Sequence, residues 1–178
     1  PWIAGALFAP SGNARIVIVR RVFPDAPGYL RTFGFADGST GRNEAGTYLG
    51  AELIVSPGLT AGAYLDLYSS LAPGAGALYP PVGIDRLISL RWEPGKRFSL
   101  EARFRSRDVE ATGSDIPDDG PVTPGNGVRR DQALRAGVRW SPAEGLECRL
   151  RAEHSRSIFA TGGGRSQGGM VFADLIVE

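Results

Sequence analysis

The chain has 178 residues, the size of one domain, and its 42% hydrophobic and 22% charged residues are ordinary values for a folded protein. Its formal net charge of +1 gives no reason to expect a nucleic acid as partner, and its one cysteine, Cys148, excludes a disulfide framework and a cysteine-based metal site. No apolar run approaches the roughly 20 residues that a membrane-spanning helix needs.

Alternation of apolar and polar residues recurs along the chain, and no helical stripe accompanies it. This period of two predicts strands at residues 1–9, 14–23, 46–55, 59–68, 84–92, 97–107, 131–140, 146–157 and 168–178. Most of them have the length of about 9–11 residues with which a tilted strand crosses a bilayer.

The connections between these strands are alternately short and long. The short ones carry a proline that is closely followed by a glycine, at Pro10, Pro57, Pro94 and Pro142. Proline presets φ for the first corner of a tight turn, and glycine supplies a positive φ at the next. The long ones, rich in Gly, Asp, Ser and Pro, cover residues 24–45, 69–83, 108–130 and 158–167. Short turns at one end and long loops at the other are typical of an up-and-down β-barrel in a bacterial outer membrane.

Strand 97–107 shows the alternation most clearly. Its apolar and charged sets occupy opposite faces, namely Phe98, Leu100, Ala102 and Phe104 on one and Glu101, Arg103, Arg105 and Arg107 on the other. Alternation alone does not orient the sheet. A soluble barrel or sandwich turns its apolar face inward, whereas a membrane barrel turns that face toward lipid.

The positions of the aromatic residues favour the membrane orientation. Trp92 and Trp140 come just before short turns and Phe98 just after one, as in the aromatic girdle at a membrane interface. The unequal lengths of the two sets of loops point the same way.

A few residues fit this orientation less well. Glu52, Arg20 and Arg86 fall awkwardly in register, and strands 14–23 and 168–178 are apolar on both faces. Because an arginine on lipid at mid-depth costs about 2–4 kcal/mol, we expect bulges or positions at the rim to accommodate such residues.

We therefore predict an all-β fold with one domain, residues 1–178. It is expected to be an antiparallel up-and-down (meander) transmembrane β-barrel with 8–10 visible strands, alone or as part of a larger barrel. Bacterial single-chain barrels have an even number of strands, so nine predict a missing strand before Pro1 or after Glu178. The chain opens at Pro1 without a methionine, which indicates a fragment or a processed piece.

The charged face of the predicted strands is the most suggestive functional feature. The residues expected to line a lumen are Arg91, Glu101, Arg103, Arg105, Arg135, Arg139, Glu147, Arg149 and Arg151. As a function, such a face lines a pore that favours anions. As a structure, it forms arginine–glutamate ladders that fill a narrow interior. The sequence leaves both interpretations open.

Three other motifs favour ordinary structural roles. His154 has Ser155 and Ser157 nearby, but residues on one strand face need a spacing of two, so we expect a histidine at the rim and no catalytic residue. The acidic group Asp115, Asp118 and Asp119 lacks the spacing of a calcium loop. The run from Gly162 to Ser166 lacks the helix that a phosphate-binding loop needs. We expect no enzyme activity, metal or cofactor.

Asn43, Glu44 and Tyr48 stand where a long loop leads into a strand. They could pin that loop over the lumen or, as we expect instead, cap the beginning of the strand.

Four segments carry a resemblance to a known family. They are Val19-Arg20-Arg21-Val22-Phe23-Pro24, Phe33-Gly34, Asn43-Glu44-Ala45-Gly46-Thr47-Tyr48-Leu49-Gly50 and Ala63-Tyr64-Leu65-Asp66-Leu67-Tyr68. Together they resemble the outer-membrane barrel part of bacterial proteins that often carry a helix-hairpin-helix region ahead of the barrel. The resemblance covers roughly residues 14–178. The helix-hairpin-helix region itself is missing here, so no DNA-binding role carries over.

The resemblance implies a location in the bacterial outer membrane, and it supplies no catalytic residues. We expect a non-enzymatic barrel with a channel, transport or envelope-structural role, and with the lipid bilayer and other envelope subunits as partners. The alternative is a soluble antiparallel β-barrel or sandwich that binds a small ligand or a protein partner.

Overall fold

The structure, a computed structural model, describes residues 1–24, 43–73, 79–111, 127–159 and 165–177. These residues form one antiparallel sheet in which strands follow each other in chain order. Its nine strands are β1 Trp2–Ser11, β2 Ala14–Phe23, β3 Glu44–Ser56, β4 Leu59–Ser70, β5 Val82–Gly95, β6 Phe98–Ala111, β7 Gly127–Ala143, β8 Leu146–Phe159 and β9 Arg165–Val177. The prediction of an all-β antiparallel meander is confirmed. No helix long and apolar enough to cross a membrane occurs in these parts of the chain.

Every predicted strand is present, and most are longer than predicted. The reason is visible between β6 and β7, where the ladder continues beyond the apolar alternation as pairs of opposite charge. Arg107 lies opposite Asp131, and Asp108 lies opposite Arg130. Such cross-strand pairs stabilise a sheet, so the strands extend beyond the points where the hydrophobic pattern ends.

The short connections are two-residue turns, and the predicted role of proline is wrong at three of the four. Only Pro57 lies in its turn, together with Gly58 at a φ of 79°. Pro10, Pro94 and Pro142 lie in the preceding strand, where the register shifts by a bulge. A bulged residue is left out of the ladder, so proline removes no hydrogen bond there.

Successive hairpins are staggered along the strands. The pairs that close the turns are Ser11–Ala14, Ser56–Leu59, Gly95–Phe98 and Ala143–Leu146. When each closing pair is traced through the cross-strand register to the next hairpin, the next closing pair lies two residues farther along the strands. Because each hairpin adds two strands, the stagger is one residue per strand. With a rise of about 3.3 Å per residue and strands about 4.8 Å apart, this stagger corresponds to a strand tilt of about 35°. Closed barrels have this tilt.

The sheet itself is not closed, and β1 and β9 are its edges. Both strands are exposed along almost their whole length. Both run toward the end of the sheet that carries the short turns (the short-turn end) and away from the opposite, long-loop end. A direct pair between them would therefore be parallel, unlike the antiparallel pairs within the sheet.

The register divides the side chains between a polar face and an apolar face, and charged side chains of the polar face are among the most buried of the described residues. On the polar face, Arg21 is 1% exposed and Asp85 is 4% exposed. On the apolar face, Leu134 is 53% exposed and Leu150 is 51% exposed. Within the described ranges, the buried residues therefore include charged ones, while large aliphatic side chains are in contact with the surroundings.

Candidate functional site: the polar face of the sheet

All of the residues predicted to line a lumen lie on the polar face. The register places Arg91 opposite Glu101, Arg103 opposite Arg135 and Arg139 opposite Arg149. Glu101 lies opposite Gly137, and Gly137 lies opposite Arg151. Arg105 is two residues from Arg103, and Glu147 is two residues from Arg149, so both lie on the polar face as well. These residues belong to two parts of the face that differ in burial and pairing.

The first part is centred on Arg21 of β2. Its Nε donates a hydrogen bond to Glu44 Oε1 at 2.7 Å, and its terminal nitrogens donate to Asp66 Oδ1 and Oδ2 at 2.8 and 3.0 Å. A planar guanidinium suits this fork-like pairing. Arg21 thereby connects β2, β3 and β4, and its charge lies between two carboxylates in a buried environment.

Glycine makes room for this arrangement. Gly46 lies directly opposite Arg21, and a Cβ atom at Gly46 would stand only 2.6 Å from the guanidinium carbon. The same construction recurs at Gly83, which lies opposite Tyr68 and whose added Cβ would overlap the tyrosine ring. Each large side chain therefore lies flat across a glycine of the neighbouring strand.

Tyrosines extend the contacts to β6. Tyr64 Oη donates to Asp85 Oδ2 at 3.2 Å, and Arg105 Nε donates to the two oxygens of the same carboxylate at 3.0 and 3.1 Å. Arg107 Nε donates to Tyr68 Oη at 3.0 Å. We call this part of the face the buried network, comprising Arg21, Glu44, Tyr48, Tyr64, Asp66, Tyr68, Asp85, Arg105 and Arg107. Among the described residues it contains three arginines and three carboxylates.

The second part lies toward the short-turn end, and we call it the arginine cluster: Arg91, Arg103, Arg135, Arg139, Arg149 and Arg151. Its pairing is looser. Arg135 Nε donates to Glu153 at 2.9 Å, but the nearest oxygens of Glu101 and Glu93 lie 3.8 Å from Arg103 and Arg139.

The charges of the arginine cluster are not balanced. Its six arginines pair with Glu93, Glu101, Glu147 and Glu153 or, for Arg151, stack on Phe172 with 4.9 Å between guanidinium carbon and ring centre. Asp174, opposite Arg149, adds a fifth carboxylate, so that one positive charge remains in excess among the described residues. The side chains of Arg91 and Arg103 are 60% and 43% exposed. Arginines also face each other directly across strands, a destabilising arrangement in the absence of other partners. The cluster therefore presents a net positive, solvated surface.

A groove of about 330 Å³ between β6 and β9 adjoins the buried network at Arg105 and Arg107. It is lined by Arg105, Arg107, Asp131, Ser155 and Ser157, among others. Ser157 Oγ donates to Asp131, so the walls of the groove are themselves hydrogen-bonded. Such a surface suits water and small hydrated ions.

The structure gives Asn43, Glu44 and Tyr48 separate roles. Asn43, with a φ of 54°, precedes β3, and its Nδ2 donates to Ala72 O at 3.0 Å, so it does cap the beginning of the strand. Glu44 and Tyr48 instead belong to the buried network, with Tyr48 packed on Tyr64 at 5.4 Å between ring centres. Whether the preceding loop is pinned over this face lies outside the described residues.

The other motifs form no reactive centre in the described residues. His154 and Ser155 occupy opposite faces, since their cross-strand partners are Leu134 and Ala133. No group of three potential metal ligands occurs in the parts of the chain that the structure describes. Asp115, Asp118 and Asp119, and the run Gly162–Gly164, lie outside the described residues.

Sequence analysis missed most of the buried network. A signal for it was present, because Glu44, Gly46, Tyr48 and Gly50 alternate and therefore share one face. The predicted strand 46–55 began one alternation too late to include Glu44. In the sequence, Asp66 and Asp85 are two isolated carboxylates. Only the register shows that they lie opposite each other on neighbouring strands.

Comparisons with known proteins add no relative to this geometry. The chain matches no protein-family model, no curated protein and no solved structure.

Proposed function

We propose that this chain forms a β-barrel, or a large part of one, in a bacterial outer membrane, with a channel, transport or envelope-structural role and no catalytic activity. The observation that carries the proposal is the inverted burial of the two faces. In water, exposing aliphatic side chains while burying arginine and aspartate is unfavourable. In a bilayer the same arrangement is favourable, because lipid contacts the apolar face and the charges pair in the interior.

The form of the apolar face supports the same proposal. On β6 it runs from Phe98 to Phe104, and on β9 it runs from Val171 to Val177. The register places Phe98 level with Leu175, so the apolar segment of β9 is displaced by two residues toward the short-turn end, in the same direction as the stagger of the hairpins. A belt that lies parallel to a membrane must be displaced along each successive strand, because the strands are tilted. Seven to nine residues of strand at a tilt of about 35° give a belt roughly 19–24 Å tall, close to the apolar band of outer-membrane barrels.

Aromatic residues mark one border of this belt. Trp92 contacts Phe98 edge to face with 5.9 Å between ring centres, and Phe98 lies opposite Trp140. All three lie on the apolar face near the short-turn end. This arrangement is that of an interfacial girdle.

Insertion into lipid also requires that the edges of the sheet be covered, since an open edge leaves backbone groups without hydrogen bonds in hydrocarbon. A parallel β1–β9 pair would satisfy them, and so would one further strand between β1 and β9 with antiparallel pairing on both sides. We favour the further strand, because even strand numbers are the rule for bacterial barrels.

The two parts of the polar face suggest how the interior is used. The buried network fills the region next to β2–β6 with paired charges, whereas the arginine cluster leaves a hydrated positive surface on β5–β8. An aqueous path along the cluster would favour anions.

Partitioning tests the location directly. The protein should remain with detergent micelles or lipid vesicles after phase separation, and should aggregate when detergent is removed. Extraction into plain buffer as a stable monomer would instead establish the soluble alternative.

A pair of arginine substitutions tests the orientation of the faces. Leu134→Arg should lower the free energy of unfolding in lipid by about 2–4 kcal/mol, because it places a charge on the lipid side. Ser155→Arg, on the polar face opposite Ala133 and Gly168, should change it little. Urea titration in vesicles measures both, and equal costs would contradict the proposed orientation.

A further inference from the structure

The apolar face changes character toward the long-loop end of β5 to β9. Beyond the belt, the same face carries four arginines, and we call these, with the carboxylate between two of them, the rim patch: Arg86, Asp108, Arg130, Arg156 and Arg165. On β5, Arg86 lies between Ile88 of the belt and Ile84, which is on the same face. The patch therefore directly adjoins apolar surface.

Asp108 holds two of these arginines in place. Arg86 donates to Asp108 Oδ2 at 3.3 Å from β5, and Arg130 donates to Oδ1 and Oδ2 at 2.6 and 3.1 Å from β7. The side chains of Arg86 and Arg130 are 50% and 52% exposed. A guanidinium has five N–H donors, so both retain donors for another acceptor.

The other two arginines have no carboxylate partner among the described residues. Arg165 donates to the amide oxygen of Gln167 at 2.9 Å, and Arg156 Nε is buried and makes no hydrogen bond. With Glu110, which accepts the Val82 N–H, the described residues of the outer face beyond the belt include four arginines and two carboxylates. This described part of the face therefore has an excess of positive charge.

We propose that the rim patch binds the phosphate of a lipid headgroup in the leaflet at the long-loop end. Arginine is suited to phosphate because its donors match two oxygens at once, and the acyl chains of the same lipid would contact the adjoining belt. The inference rests on the proposed membrane location. It adds a partner chemistry, an anionic phospholipid, and a position on the barrel.

The test uses the full chain in nanodiscs of phosphatidylcholine with increasing phosphatidic acid, with bound lipid counted by native mass spectrometry. Arg156→Gln with Arg165→Gln should weaken retention of phosphatidic acid about tenfold or more, since each arginine near a membrane surface contributes about fivefold. These two leave no carboxylate unpaired, so folding should be preserved. The matched control is Lys96→Gln with Arg97→Gln, which removes the same charge at the short-turn end, where Arg97 bonds only to the backbone of Pro142 among the described residues, and should leave retention unchanged.

Asp108→Asn separates lipid binding from a purely structural ion pair. It removes the acceptor that competes with lipid phosphate, so retention should rise. Loss of retention in this variant, or no loss in the Arg156 and Arg165 variant, would overturn the proposal. Added inorganic phosphate should neither bind nor compete appreciably, and a bound free phosphate of equal effect would also overturn it. Failure of the wild type to insert into phosphatidylcholine alone would instead refute the membrane location, and the headgroup site with it.

Discussion

The buried network and the arginine cluster occupy the same face of one sheet and both contain several arginines, yet the arginine at the centre of the network differs from those of the cluster in burial and in pairing. Arg21 is 1% exposed and bonded to two carboxylates, whereas Arg139 is 46% exposed with its nearest carboxylate oxygen at 3.8 Å. Counted over the described residues, positive and negative charges are equal in the network and unequal in the cluster.

The difference between Arg21 and Arg103 lies in the residue that each one faces. Glycine opposite a long side chain, as Gly46 is opposite Arg21, lets the guanidinium lie flat and reach carboxylates on neighbouring strands. Where arginine faces arginine, as Arg103 faces Arg135, the side chains stay exposed and hydrated. We expect the first region to govern stability and the second to govern interaction with ions.

The largest effect is expected from removing the charge at the centre of the network. Arg21→Met removes the guanidinium that bonds to Glu44 and Asp66, and breaking a buried ion pair costs about 3–5 kcal/mol. Urea titration in vesicles should show a loss of this size.

Arg139→Met provides the control in the arginine cluster, where an exposed pair contributes about 0–1 kcal/mol. Equal losses in the two variants would remove the proposed distinction between the regions.

A smaller effect is expected from the glycines. Gly46→Ala should cost about 1–3 kcal/mol, because its new methyl group overlaps the Arg21 guanidinium and the side chain must move. Gly137→Ala is the matched substitution in the region of the cluster, since its Cβ would meet only Leu150 O at 3.7 Å. Alanine there should be neutral or slightly stabilising, and thermal unfolding of the two variants side by side would reveal whether the network needs its glycine.

The smallest effect on stability is expected within the arginine cluster. Arg103→Gln with Arg139→Gln should change the free energy of unfolding by less than about 0.5 kcal/mol per site. The same change should shift the reversal potential in planar bilayers under a salt gradient toward cations, because it removes positive charge from the proposed path. If the wild-type protein inserts but passes no current, we would conclude that the arginine cluster lies in a filled interior instead.

The sequence predicted the strands and the separation of the two faces well, because a period of two is a local property that each strand carries by itself. It predicted less well what depends on the register between strands. Glu52 looked misplaced along the sequence, but it lies on the polar face opposite Arg15. Arg20 and Arg86 do lie on the apolar face, where they bond to Thr47 and Asp108.

The buried network was the part least accessible to sequence analysis. Its bonds join residues 45 positions apart, as between Arg21 and Asp66, and no local pattern connects them. The proline turns show the same limit on a smaller scale. The position of each hairpin followed from composition, but the bulge that accommodates Pro10, Pro94 or Pro142 depends on the opposing strand.

The central claim is that the apolar face contacts lipid and the polar face contacts water, and two adjacent residues of β6 test it most directly. In protein with Cys148→Ser, a fluorophore attached at Phe104→Cys should be quenched by nitroxide lipids and little affected by iodide. The same fluorophore at Arg103→Cys should be quenched by iodide and little affected by nitroxide lipids. A probe at Phe104→Cys that neither quencher reaches would reveal a dry core on that side, and would contradict the account.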